Sequence, residues 1–330
     1  MNIYLTFDYE LFVNDNTGDI DNCLIIPTKH FLEMFDRYGV KATFFIDMAY
    51  CFRLNELKGK YSNLAIDYEK FCEQVKEIKA RGHEIALHLH PQWFYAKYDG
   101  EKWIMDFNHY KLSDMPLQEA NAKFDACCTM LRNISGYDVI SFRAGGFSIQ
   151  GYEGFYDAMA RNGLIKDSSV LYGEKQITSL HSYDYSDVKT SDTYSFSDDV
   201  AKSSIDGKYT EFPISTIKMP FLKYCAYKIK WKLSKDRSFV CWGNGGDYAE
   251  RRRKEFNENV KRRLKEGVRT WASADGRLTE FLPLFIKERT KQHNQSLVVL
   301  GHPKLASLGS IRNLEQFIKD NNGKHSFATI

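Results

Sequence analysis

The chain has 330 residues, 43% hydrophobic, 27% charged and 15% aromatic, a size and balance at which an α/β barrel forms as one unit. A formal net charge of +3, from 46 basic and 43 acidic residues, provides no global field for nucleic acid. Charges interrupt every apolar run well short of the ~20 residues that span a bilayer.

Strand-like runs at Ile3–Phe7, Ala42–Ile46, Glu84–Leu87, Val139–Phe142, Phe239–Trp242 and Leu297–Leu300 alternate with amphipathic helical patterns at Thr28–Tyr38, Tyr68–Ala80, Leu117–Ile134 and Glu153–Asn162. Such βα alternation predicts a parallel sheet with its ligands beyond the carboxyl ends of the strands. Residues 1–330 read as a single domain. Two stretches, 92–115 with an Asp99-Gly100 turn and 172–209 with an Asp206-Gly207 turn, read as excursions at the rim of a site.

Polar residues stand where that rule expects them. Asp8 and Glu10 follow the first strand at i and i+2, on one side of the chain, which suits a metal ligand plus a general base. A strand-end aspartate that caps a turn is the plainer reading of that stretch alone. His88-Leu89-His90 closes an apolar strand with two imidazoles on one face, as a catalytic divalent site with open positions requires. His83 is out of phase with that pair and reads as structural.

Arg143 precedes Gly145-Gly146-Phe147, a turn in which the backbone approaches another group closely. It could orient a catalytic carboxylate, and a backbone N–H of the turn could serve an oxyanion. Asp167 and His302 follow two further apolar segments, and a strand-end histidine oriented by a carboxylate suits a general acid.

Taken together, Thr6-Phe7-Asp8, Lys41–Ile46, Gly82–Ile85, Arg143–Phe147 and His302 resemble, in order, the motifs of the polysaccharide deacetylases, the family-four carbohydrate esterases. The resemblance runs from Thr6 to Pro303. It implies a distorted (β/α) barrel of about seven parallel strands and a metal-dependent hydrolase that removes an acyl group from an amino sugar in a polysaccharide or its precursor. It further implies Asp8 as base, Arg143 as its partner, Phe147 as backbone oxyanion donor, His302 as acid and Asp167 as the residue that orients it.

Tyr9 stands where the family commonly has a second aspartate, so Glu10 is expected as a metal ligand beside His88 and His90, with Zn²⁺ as the expected ion. The His-x-His spacing also departs from the family's usual i, i+4, and the chain is similar to a divergent branch associated with surface-polysaccharide biosynthesis. A sugar nucleotide or a lipid-linked sugar is then a candidate substrate. These departures keep two alternatives open, a non-catalytic carbohydrate-binding or regulatory barrel and a metal-dependent hydrolase of a small cyclic amide.

Seven scattered cysteines without a C-x-x-C pair, and a start that lacks a leader pattern, point to reduced thiols in a cytoplasmic protein. Glu250–Gly267 reads as a helix with a solvated arginine face. Phe221–Arg237 mixes aromatics with Lys223, Lys228, Lys230, Lys232 and Lys235. A solvated lysine face is favoured there over contact with an anionic membrane or a phosphate-bearing sugar donor.

Overall fold

In the computed structural model, which describes residues 1–178, 180–246 and 264–330, parallel strands curl around a polar interior. They are β1 (Asn2–Tyr9), β2 (Thr43–Asp47), β3 (Glu84–Leu89), β4 (Ser141–Ala144), β5 (Lys166–Asp167), β6 (Tyr194–Phe196) and β7 (Tyr209–Glu211). With β10 (Ser296–Gly301) they run in the order β6-β7-β5-β4-β3-β2-β1-β10, and β11 (Ser326–Ala328) also pairs with β1. Among the described residues, only the β6–β7 pair is antiparallel in this sheet.

Backbone bonds curl the sheet towards closure: Ile214 N–H donates to Val170, Ser215 N–H to Val298, and Leu300 N–H to the Ala272 carbonyl. The result is a distorted barrel. A separate ribbon, β8 (Thr216–Met219) with β9 (Val268–Trp271), leads into that seam.

Alternation along β1 separates the two faces. Phe7 packs outward on Phe31 and Phe35 of α1 (Ile26–Tyr38) and on Phe44 of β2, with centroids 4.5, 5.7 and 5.3 Å away. Tyr9 likewise packs on Phe71 of α3 (Ser62–Ala80) and donates to Gln74 at 2.8 Å. Burial of each such ring contributes about 2 kcal/mol. Thr6 and Asp8, out of phase, both reach Arg143 inside the barrel. The remaining covering helices include α2 (Met48–Leu57), α4 (Leu117–Ser135) and α5 (Phe155–Arg161).

Some expectations are corrected. Phe239–Trp242 forms no strand: Arg237–Phe239 is a 3-10 turn capped by the Asp236 side chain, and Val240 is exposed. A β-rich run without a free sheet edge has nothing to pair with. The excursion at 172–209 is only partly a rim, because its second half supplies β6, while Lys175–Ile177 and Ser182–Asp184 form a hairpin. The excursion at 92–115 holds the expected turn, in a two-stranded hairpin of Lys97–Tyr98 and Trp103–Ile104. The helix expected over Glu250–Gly267 lies, up to residue 263, outside the described residues.

His83 is a buried structural group. Its Nδ1 accepts the Ala42 N–H at 3.1 Å, its ring lies between Phe35 and Phe44, and burial pulls its pKa down to about 4. The unfolded chain takes up the proton first, so the folded state keeps its full stability above about pH 6.5 and loses up to about 3 kcal/mol as pH falls towards 4. Urea denaturation at about pH 7.5 and pH 5 should therefore show a smaller stability difference for His83→Gln than for the native chain.

Candidate active site

Five strand ends deliver the interior residues to one point. Glu10, just beyond β1, places Oε2 at 2.5 Å from His90 Nε2 and 3.0 Å from His88 Nε2. Its Oε1 accepts from Lys304 Nζ at 2.7 Å. Burial opposes the charged form of Glu10, yet Lys304 and the imidazoles hold it well below the usual carboxylate range. His88 Nδ1 lies 2.7 Å from the Arg143 carbonyl, an acceptor only, so Nδ1 carries the proton there and Nε2 faces Glu10. Burial disfavours the His88 imidazolium, but Asp8 and Glu10 outweigh it and raise its pKa to about 9.

Arg143 is fully buried. Its guanidinium donates to Asp8 Oδ1 at 2.6 Å, to Thr6 Oγ1 at 3.0 Å, and to the Ser168 carbonyl and hydroxyl at 2.9 and 2.7 Å. The other Asp8 oxygen, Oδ2, lies 4.0 Å from His88 Nε2 and 3.8 Å from His302 Nε2.

The donor set suits a divalent cation. A carboxylate and two imidazoles, all buried, bring ligand atoms within 4.8 Å of one another at Glu10, His88 and His90. Asp8, Glu10, Asp47 and Asp275 face Arg143 and Lys304 around this point, so four acids against two cations leave a formal excess of two negative charges with the imidazoles neutral. Among the described residues, buried Asp47 Oδ2 and His90 Nδ1 have no hydrogen-bond partner. Burial raises the Asp47 pKa.

The model of the family described as polysaccharide deacetylase matches residues 2–152. That match covers somewhat under half of the chain and includes Asp8, Glu10, His88, His90 and Arg143. No curated protein matches by sequence. Among solved structures, a Mycobacterium smegmatis protein assigned to the polysaccharide deacetylases is similar in fold at 14% identity, covering 99% of this chain and 86% of its own, with a TM-score of 0.52. The polysaccharide deacetylase Bc1974 from Bacillus cereus matches at 13% identity over 99% and 91%, with a TM-score of 0.41.

One expected pairing is corrected at this site. The carboxylate on His302 is Asp275, which accepts from its backbone N–H at 2.7 Å and lies 2.9 Å from Nδ1. Asp167 instead accepts from the Ser169 N–H and hydroxyl, and stands beside buried Glu211 of β7, whose pKa burial and the Asp167 charge raise well above the carboxylate range. Burial raises that of Asp167 as well. Asp167 sits on β5, and the segment 211–215 stands between it and the one that leads to Asp275.

Phe147 and Gly146 both adopt positive φ, 60° and 56°, and the Phe147 carbonyl accepts from Tyr185 at 2.7 Å. Gly145 permits the closest approach. A Cβ there would lie 2.8 Å from His90 Nδ1 and still nearer the Leu89 carbonyl.

Three residues at this point had no part in the sequence expectation: Asp47, Lys304 and Asp275. Asp47 ends β2, so the strand-end rule that singled out Asp8 applied to it equally. Lys304 follows Pro303 and carried no signal beyond its turn.

Burial opposes the charged form of His302, but the Asp275 hydrogen bond and charge, aided by Asp8 and Glu10, raise its pKa. Titration of the imidazole resonances by NMR should show the His302 pKa falling in Asp275→Asn. Asp167→Asn should leave it in place, and the reverse pattern would restore Asp167 as the orienting group.

Proposed function

We propose that this chain is a divalent-metal-dependent hydrolase that removes the N-acetyl group from an amino sugar in a polysaccharide or its precursor. The observation that carries the reading is the convergence of Glu10 on both His88 and His90, with the free oxygen of Asp8 4.0 Å from His88 and 3.8 Å from His302. Glu10, His88 and His90 would hold the ion, with Zn²⁺ the expected one. When bound, it supplies a Lewis acid for the acetyl carbonyl and for the attacking water.

Asp8 takes the proton of that water through Oδ2, because Oδ1 is committed to Arg143. The backbone N–H of Phe147 would donate to the oxyanion as the carbonyl becomes tetrahedral. His302, with Asp275 holding Nδ1, presents Nε2 towards the same space. Its raised pKa suits an imidazolium that protonates the departing sugar nitrogen, so acetate and a free amine leave together.

The domain spans the whole chain in this proposal, since β1 pairs with strands at 296–301 and 326–328. A cytoplasmic setting accords with cysteines that are scattered along the chain and form no C-x-x-C pair. A sugar nucleotide or a lipid-linked sugar remains within the proposed substrate class.

Acetate release should be assayed against N-acetylated sugar nucleotides, lipid-linked sugars and oligosaccharides. Release from at least one class should cease with chelator and return on adding Zn²⁺. Absence of chelator-sensitive release from all three would overturn the reading. On the accepted substrate Asp8→Asn should lower kcat by roughly 10²–10⁴-fold with near-stoichiometric metal retained. His88→Ala should lose the metal itself, as measured by elemental analysis.

In His302→Ala, turnover of the N-acetyl substrate should fall by about 10²-fold or more, and that of an activated aryl acetate much less, because a phenolate leaves without a proton. Equal losses on both substrates would assign His302 another role.

A further inference from the structure

Helix α6 (Phe221–Leu233) presents two apolar faces. One is packed. Tyr227 and Trp231 lie on Phe281, with centroids 4.8 and 5.5 Å away, and the Lys228 ammonium sits over the rings of Trp231 and Tyr224 at 5.2 and 5.5 Å. The other consists of Leu222, Ala226, Ile229 and Leu233, spaced by four, three and four residues, a single stripe along a helix. It points to solvent: Leu222, Ile229 and Leu233 are 77%, 59% and 75% exposed.

At about 100° per residue, Lys223 and Lys230 fall along one bank of this stripe and Lys232 along the other. From Phe212 to Lys235 every charged residue is a lysine, six in all. A single exposed leucine needs no explanation, whereas an ordered stripe rimmed by charge of one sign marks an interaction surface. Beside the start of the helix, a cavity of about 450 Å³ is lined by Lys218, Lys223, Arg269 and Arg289, with Glu288 the acid in its lining. Among the described residues of that lining cations outnumber acids, although Arg269 also pairs with Glu174 at 3.7 Å.

Both features select the occupant. A second copy of the chain, meeting this stripe across a two-fold axis, would bring lysine rows together. An anionic bilayer accepts the apolar side chains below its headgroups while the lysines extend their ammonium groups to the phosphates. Among the described residues no helix is long and apolar enough to cross a membrane, so contact would be at the surface.

We propose that α6 is a peripheral anchor that seats the protein on an anionic lipid surface, with Leu222, Ile229 and Leu233 immersed. The sequence alone favoured a solvated lysine face, and the solvent-facing stripe reverses that choice. The packed face of the anchor rests on Phe281, which ends the 3-10 turn Gly276–Phe281, and that turn starts directly after Asp275. The anchor is thus joined through one short element to the partner of His302.

Vesicle flotation of the full chain tests this without turnover, so it stands apart from the catalytic reading. Vesicles of phosphatidylcholine with about one third phosphatidylglycerol should float the protein at low salt, and pure phosphatidylcholine should not. Lys223→Gln/Lys230→Gln/Lys232→Gln should weaken binding roughly a hundredfold, and Leu222→Gln/Ile229→Gln/Leu233→Gln at least about tenfold. Circular dichroism should be unchanged in both variants.

Absence of flotation on anionic vesicles, or equal flotation of both variants and the native chain, would overturn the proposal. Light scattering that shows a dimer dissolved by the leucine and isoleucine replacements would also overturn it, because the stripe would then belong to a second copy.

Discussion

Everything at the candidate site hangs on the burial of one guanidinium. Arg143 lies in the barrel interior with no exposed surface, where an unpaired cation would cost several kcal/mol. Its donors are therefore spent on Asp8, Thr6 and Ser168, which binds β4 to β1 and to the segment after β5. The Phe45 ring beneath it, 4.0 Å from the guanidinium carbon, adds a favourable face. Its carbonyl meanwhile fixes the His88 ring. One residue thus sets the proposed base through its side chain and a proposed metal ligand through its backbone, so neither can shift without disturbing the other.

Charge balance explains why the surrounding groups are arranged as they are. With Arg143 engaged by Asp8 and Lys304 by Glu10, the pairs nearly cancel, and Asp47 and Asp275 remain. Asp275 is matched by His302, whose raised pKa follows from that contact. Asp47 has no such match: it accepts the His90 and Ala49 N–H groups through one oxygen and leaves the other buried and unbonded. A divalent cation beside it would relieve the burial that raises its pKa. On neighbouring strands β5 and β7, Asp167 and Glu211 reach a different solution, in which burial and the Asp167 charge raise the Glu211 pKa well above the carboxylate range.

The strand-end rule made much of this legible from sequence. Alternating faces placed Asp8 with Glu10 and His88 with His90, and a period of two was sufficient because these strands are flanked by helices that demand an apolar outer face. Long-range pairing was where it failed. Asp167 and Asp275 both follow short strand-like segments, and nothing local tells which one meets His302. That depends on closure of the barrel, where Ala272 and Ala274 bond to Leu300 on either side of its peptide and bring Asp275 beside β10. The Phe239–Trp242 run was misread for the same reason, since β propensity carries no information about a free edge.

The two glycines after Arg143 show how tightly the rim is tied to the interior. Gly145 has no room for a Cβ because the Leu89 carbonyl and the His90 ring already occupy that space. Gly146 turns through positive φ, where a side chain would strike Tyr110 at 2.9 Å and His181 at 3.2 Å. Tyr110 comes from the first excursion and His181 from the second, and their hydroxyl and Nε2 lie 3.0 Å apart. The turn that bears the proposed oxyanion donor is thus wedged between a proposed metal ligand below and the meeting of both excursions above. Any ligand that separates the excursions must therefore move, or be resisted by, the backbone that carries Phe147, which couples the shape of the cleft to the geometry of the site.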